Sequence, residues 1–343
     1  MTDLMKTIIL NKPGEFAMIN RPQPTAPGPG EVLVRIARIG VCGTDIHAYC
    51  GNQPFFSYPR VLGHELGVEV VAVGAGVTHV RVGDRCAVEP YLSCGTCVAC
   101  RRGKTNCCVR LQVLGVHCDG GFCQFLLLPQ NKLHPSRQLT LEQLALVETL
   151  GIGAHAVDRA ALVNNEWALV IGLGPIGLAT LQFVIAAGAR PIVMEPNPRR
   201  VEFCQKQLGI QSVVNPAQAP LEQLASITQG ELPTAVFDAT GNAKSMMSAF
   251  QYVASGGKLV LVGLFQGDVT FHDPEFHRRE MTLLSSRNSR GQDFQRIIAL
   301  VESGQVDTRP WITHRGALSD VPDLFPTWVK PETGVLKAMI EIE

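Results

Sequence analysis

Four thiols, Cys94, Cys97, Cys100 and Cys108, stand in the pattern CxxCxxCxxxxxxxC. Four soft ligands on one short segment suit tetrahedral Zn²⁺ in a closed, structural site. Cys107 adjoins Cys108 and offers another fourth ligand, and CxxCxxC also occurs in ferredoxin-like iron–sulfur runs. A second set is dispersed: Cys42 in VCGTDIH, His64 and Glu65 in GHE, and Glu148 in LVETLG. One thiolate, one imidazole and one or two carboxylates make a mixed site that can leave a coordination position open, as catalytic zinc requires. Spacing alone does not bring these residues together, and each has an ordinary role by itself as core thiol, packed imidazole or solvated acid.

A third constellation is GLGPIG, residues 172–177, set between an apolar strand-like run and a helical pattern. Gly172 permits the tight turn, Gly174 lets a pyrophosphate approach the backbone, and Gly177 lets helix pack on strand. Pro175 and Ile176 open the helix, whose free N–H groups face the phosphates. The next strand-like run ends in Glu195, at the interval where a carboxylate binds the adenosine ribose hydroxyls. That acid favours NAD by repelling the 2′-phosphate of NADP, while Arg199 and Arg200 are cations that could reverse the choice.

The elements that must hold these groups change character along the chain. Up to about residue 150, apolar runs such as 31–40, 67–76 and 121–129 are cut by glycine and proline, the texture of a β-rich domain. Beyond it, candidate strands at 168–172, 191–195, 212–215, 235–239, 258–263 and 281–286 alternate with helical segments such as 175–187 and 198–208. This βα alternation predicts an α/β fold with a doubly wound parallel sheet. From about 288 the rhythm ends in one helix-like segment and a terminal strand.

Composition narrows the function classes. The 343 residues suggest roughly two domains at about 150 residues each. Thirty Lys and Arg balance thirty Asp and Glu, so no basic field is present to hold nucleic acid, and the cysteine segment lacks the second knuckle of a zinc ribbon. Ten of the eleven cysteines fall between Cys42 and Cys123, which reads as metal ligation with spare thiols rather than a disulfide framework. The start MTDLMKTIIL has no basic region followed by a long apolar run, so a cytoplasmic protein is expected. Residues 167–189 carry no charge over a bilayer-spanning length, but a Gly-x-Gly-Pro break at their centre argues for a soluble reading with no membrane partner.

Taken in order, CGTDIH, GHE, GDR (83–85), the four-cysteine segment, DGG (119–121), VETLG, GLGPIG and the strand ending in Glu195 resemble the zinc-dependent medium-chain dehydrogenases, in particular their sorbitol and threonine dehydrogenase branch. The resemblance spans essentially the whole chain. It implies a GroES-like β-rich catalytic domain (1–153 and 288–343), split in sequence around a Rossmann domain (154–287), with the active site in the interdomain cleft. It places a catalytic zinc on Cys42 and His64, with Glu65 and Glu148 each either a ligand or a partner of the fourth ligand. A structural zinc falls on Cys94, Cys97, Cys100 and Cys108, giving two zinc ions per chain. Thr44 matches the hydroxyl that takes the substrate proton, and His47 the histidine that passes it to solvent. Glu148, where classical alcohol dehydrogenases have cysteine, argues against ethanol-type substrates. One departure is Val68, where the family usually has glycine.

The implied activity is hydride transfer from a secondary alcohol of a sugar acid or polyol to NAD. The alternatives are an amino-alcohol (threonine-type) dehydrogenase and a catalytically silent dinucleotide-binding sensor. An alcohol gives up hydride readily only once its oxygen is deprotonated, which a Lewis acid promotes near neutral pH. The segment SSRNSRGQDF (285–294) resembles that of hexonate dehydrogenases. Arg287 is therefore a candidate for a substrate carboxylate, with Arg290 beside it. A homodimer or homotetramer is expected, paired through an edge strand near 281–286.

Overall fold

The computed structural model describes residues 3–343, which divide into two units: the described residues up to Thr149 together with Arg290–Glu343, and Leu150–Ser289. Both seams lie a few residues from the expected ones, and the first falls inside the helix Val147–Ala160.

The unit Leu150–Ser289 is a doubly wound parallel sheet. Among the described residues its strands lie in the order Val213–Val214, Arg190–Met194, Trp167–Ile171, Ala235–Asp238, Lys258–Leu261 and Thr282–Ser285. Every neighbouring pair is parallel, and the chain winds outward in both directions from Trp167–Ile171, the Rossmann order. The central strands are continuous apolar runs because helices cover both faces; Leu169, Val170, Ile192, Val193, Val236, Phe237, Leu259 and Val260 are all buried. The uncharged run 167–189 is thus a buried strand, a turn and the helix Pro175–Ala186, whose 12 residues reach only about 18 Å. No helix among the described residues is long and apolar enough to cross a membrane.

The other unit is built on a seven-stranded sheet in the order Ile312–Ala317, Lys337–Glu341, Glu31–Gly40, Glu65–Val73, Arg85–Val88 and Leu133–Pro135, with Phe125–Pro129 also paired to Glu31–Gly40. The run 121–129 becomes a strand only from Phe125, because the N–H groups of Gly121 and Phe122 are drawn to the carbonyls of Gly63 and Leu62. Those bonds brace the turn that carries His64.

Register does the rest of the positioning. Gly40 lies opposite Glu65 on one side and opposite Met339 on the other. The residues just beyond Gly40 therefore meet both the GHE turn and the start of the C-terminal strand. A Cβ on Gly40 would come 2.0 Å from Glu65 Oε2, so a larger residue would displace that carboxylate. At the departure from the family pattern, a Cβ on Gly67 would lie 2.0 Å from the carbonyl oxygen of Leu141. The helix Leu141–Ala145 thus packs directly on the strand at Gly67, and Val68 turns into the core.

Candidate active site

The Sγ atoms of Cys94, Cys97, Cys100 and Cys108 all lie within 4.8 Å of one another. Sulfurs placed tetrahedrally at about 2.3 Å from zinc sit ~3.8 Å apart. The Cys97–Cys100 and Cys94–Cys100 separations of 3.5 and 4.0 Å bracket that value, so the set fits a closed zinc site. Cys108 is buried and completes the group, whereas Cys107 is exposed and outside it. The backbone supports charge on these sulfurs: Cys108 Sγ accepts from the N–H groups of Cys94 (3.3 Å) and Arg110 (3.4 Å). The Thr96 N–H and the Arg110 side chain pull the Cys94 thiol below its ordinary range, while burial pushes Cys100 above it.

Cys42, His64 and Glu65 also place their ligand atoms within 4.8 Å of one another. Cys42 caps the helix Gly43–Tyr49, and its Sγ accepts the N–H of Thr44 at 3.5 Å. The buried Asp45, three residues on, joins the two segments: it accepts from the N–H of Cys42 (2.9 Å) and of Gly63 (3.4 Å) and lies 3.8 Å from His64 Nδ1. That Nδ1 is buried with no hydrogen-bond partner. Nδ1 faces the Asp45 carboxylate, which suits an outer partner for an imidazole whose other nitrogen would bind a metal beside Cys42. Burial opposes charge on His64, but the neighbouring Cys42, Asp45 and Glu148 outweigh it and raise its pKa well above the ordinary value. Glu148 stands outside the three-residue group. It is buried at the start of the helix Val147–Ala160 and accepts a hydrogen bond from the Tyr91 hydroxyl; burial raises its pKa, with His64 opposing. Glu65 is held by the buried Lys337, 2.7 and 2.8 Å from its two oxygens.

Thr44 and His47 lie three residues apart on one helix, hence on one side of it. Thr44 is half-buried beside Cys42, and His47 is exposed, with its Nδ1 3.0 Å from Asn52 Oδ1.

In the second unit each glycine of GLGPIG has its own constraint. Gly172 has φ +86°, a Cβ on Gly177 would come 1.7 Å from the Gly172 carbonyl oxygen, and a Cβ on Gly174 would meet only Arg200 Nη1 at 3.9 Å. Gly174 therefore caps the helix Pro175–Ala186 with an open backbone face, a cradle that fits a pyrophosphate. Glu195 follows the strand Arg190–Met194 rather than ending it, and its buried carboxylate accepts from the N–H of Leu173 (2.7 Å) and of Asn197 (2.9 Å). Arg200 Nη1 lies 3.7 Å from the same carboxylate.

Comparison with known proteins agrees with both units. Residues 28–138 match the alcohol dehydrogenase GroES-like domain, and residues 175–303 match the zinc-binding dehydrogenase family. L-galactonate-5-dehydrogenase of Escherichia coli K12 is 39% identical over 336 residues, 98% of either chain. The chain belongs to the zinc-binding medium-chain alcohol dehydrogenases. Among solved members, the E. coli CFT073 alcohol dehydrogenase RspB in complex with NADH superposes with a TM-score of 0.91 at 31% identity, covering 98% of this chain and 99% of that one. A putative zinc-binding dehydrogenase of Sinorhizobium meliloti 1021 bound to NADP gives 0.90 at 27% identity, covering 99% of each.

This dehydrogenase is accordingly an oxidoreductase acting on CH–OH groups of a small-molecule substrate, with a GroES-like and a Rossmann domain. Of the arginines after the last Rossmann strand, Arg287 is exposed, whereas Arg290 caps the helix Gly291–Glu302 and reaches Asp293 at 3.4 Å. Asp45, Tyr91, Thr149 and Lys337 escaped the sequence reading. Only Asp45 left a signal there, as the acid three residues after a helix-capping Cys42.

Proposed function

We propose that this dehydrogenase oxidises a secondary hydroxyl of a sugar acid or polyol with NAD, and carries one catalytic and one structural zinc per chain. The observation that supports this reading most is the convergence of Cys42, His64 and Glu65, with the buried Glu148 close by, from separate stretches of chain. When bound, Zn²⁺ lowers the pKa of an alcohol oxygen and NAD accepts hydride at the nicotinamide. Cys42 and His64 would hold the metal, with Glu65 or Glu148 completing the set. The Thr44 hydroxyl takes the proton from the substrate oxygen and relays it; it cannot store it. His47, an imidazole that can hold a proton, lies three residues on with its Nδ1 3.0 Å from Asn52 Oδ1. Gly172, Gly174 and Gly177 cradle the pyrophosphate, Glu195 binds the adenosine ribose, and Arg200 lies over the loop.

Arg287 is the proposed partner of a substrate carboxylate, its guanidinium fork matching two oxygens. The strand Thr282–Ser285, at the edge of its sheet with Leu283 exposed, is the proposed contact of a homodimer or homotetramer. The decisive experiment is a panel of hexonates, neutral polyols and amino alcohols assayed with NAD and with NADP by the absorbance of the reduced cofactor. Preferred turnover of a hexonate with NAD is expected. Turnover confined to amino alcohols would replace this substrate class with the threonine-type one, and no turnover of any alcohol would remove the catalytic reading.

A further inference from the structure

Lys337 is among the largest fully buried side chains of its unit, far from any run that the zinc-ligand motifs occupy. A lysine removed from water keeps its charge only where acceptors surround it. Its Nζ donates to both oxygens of Glu65 (2.7 and 2.8 Å), to the carbonyl oxygen of Val41 (3.1 Å) and to Thr149 Oγ1 (3.5 Å). Val41 precedes Cys42, Glu65 follows His64, and Thr149 follows Glu148. One ammonium therefore ties together the three segments that carry every candidate ligand of the mixed metal site. The sheet puts it there: Met339 pairs with Gly40, and the Val41 N–H donates to the carbonyl of Ala338, so Lys337 arrives beside Cys42.

We infer that Lys337 is a positioning residue that assembles and charge-balances the Cys42–His64–Glu65–Glu148 metal centre. The inference rests on the reading of that cluster as a zinc site. A Cys42 thiolate and two carboxylates outnumber the charge of one Zn²⁺ by one, before the buried Asp45 beside His64 is counted, and the Lys337 ammonium offsets part of that excess. It also donates to both oxygens of Glu65. Those two bonds fix the Glu65 carboxylate in place beside Cys42 and His64, where it would face a bound metal. A strut that merely fills the core would need no cation and no three-way contact.

The test is metal retention, read independently of turnover. Wild type, Lys337→Met, Lys337→Arg, Thr149→Val and Cys42→Ser are dialysed against graded chelator. Zinc per chain is then measured, with the four-cysteine site as internal control, and the visible spectrum of the cobalt-substituted proteins is recorded. We expect Lys337→Met to keep the four-cysteine zinc and to lose affinity at the mixed site by about tenfold to a hundredfold, the usual effect of removing a ligand's outer partner. Lys337→Arg should recover part of it, and Thr149→Val should weaken binding by a smaller factor with the fold intact. Wild-type affinity in Lys337→Met overturns the inference, as does Lys337→Arg behaving no better than Lys337→Met. If Lys337→Met does not fold, Thr149→Val decides, and unchanged affinity there overturns it. A wild type with a single zinc that Cys42→Ser does not reduce defeats the zinc-site reading itself, an outcome distinct from two zinc ions held equally well with and without Lys337.

Discussion

Glu195 braces the glycine loop and is the proposed partner of the adenosine ribose, and one substitution reads both. Its oxygens are used individually: Oε2 accepts from the Leu173 N–H inside the glycine loop, and Oε1 accepts from the Asn197 N–H at the cap of the next helix. Glu195→Gln retains one acceptor oxygen, so one of those N–H groups faces an amide NH₂. Leaving a buried donor unsatisfied costs about 1–3 kcal/mol, a loss thermal unfolding should register. The cofactor effect adds to that. A charged hydrogen bond to the ribose is worth about 1.5–3 kcal/mol, so kcat/KM for NAD should fall roughly tenfold to a hundredfold. NADP loses no such bond and is relieved of repulsion, so its kcat/KM should hold or rise. Initial rates at varied NAD and NADP, read as reduced-cofactor absorbance, give both numbers on one protein preparation. Equal losses on both cofactors would refute the ribose role and leave Glu195 only as a brace of the loop. A wild type faster with NADP would show that Arg200, 3.7 Å away, sets the preference.

Cys97→Ser should lower folding stability and zinc content together, whereas Cys42→Ser should leave the fold, keep one zinc and abolish turnover; elemental analysis and calorimetry check both. Arg287→Met should raise KM for an aldonate by about tenfold or more, in line with a charged hydrogen bond, and leave a neutral polyol nearly unaffected; equal changes on both would make Arg287 structural. In protein stripped of metal by chelator, the raised pKa of His64 gives a pH dependence with a definite sign. Its proton stabilises the metal-free fold fully below about pH 6.5, and that contribution is lost as pH rises through the raised value. Zinc must displace the same proton, so chelator competition should show affinity rising with pH, and an indicator dye should register proton release on binding.

What could be read along the chain is what the chain keeps close together. The four-cysteine cluster was legible because its residues lie within one short loop, whose local turns bring the Cys97–Cys100 and Cys94–Cys100 sulfurs to 3.5 and 4.0 Å. The glycine loop was legible for the same reason: strand, turn and helix are consecutive, and hard-sphere contact at Gly177 needs no distant partner. The central Rossmann strands announced themselves as apolar runs because both of their faces are buried. The Cys42–His64–Glu65 cluster was different. Its motifs stood out, but nothing local draws Cys42 to His64; the pairing of Gly40 with Glu65 does, a matter of sheet register. Lys337 was invisible, one more cation in a terminal strand, because it meets Glu65 across 272 residues of sequence. A long-range ion pair is specified by the closing of the sheet around it, and only the assembled fold brings its two halves together.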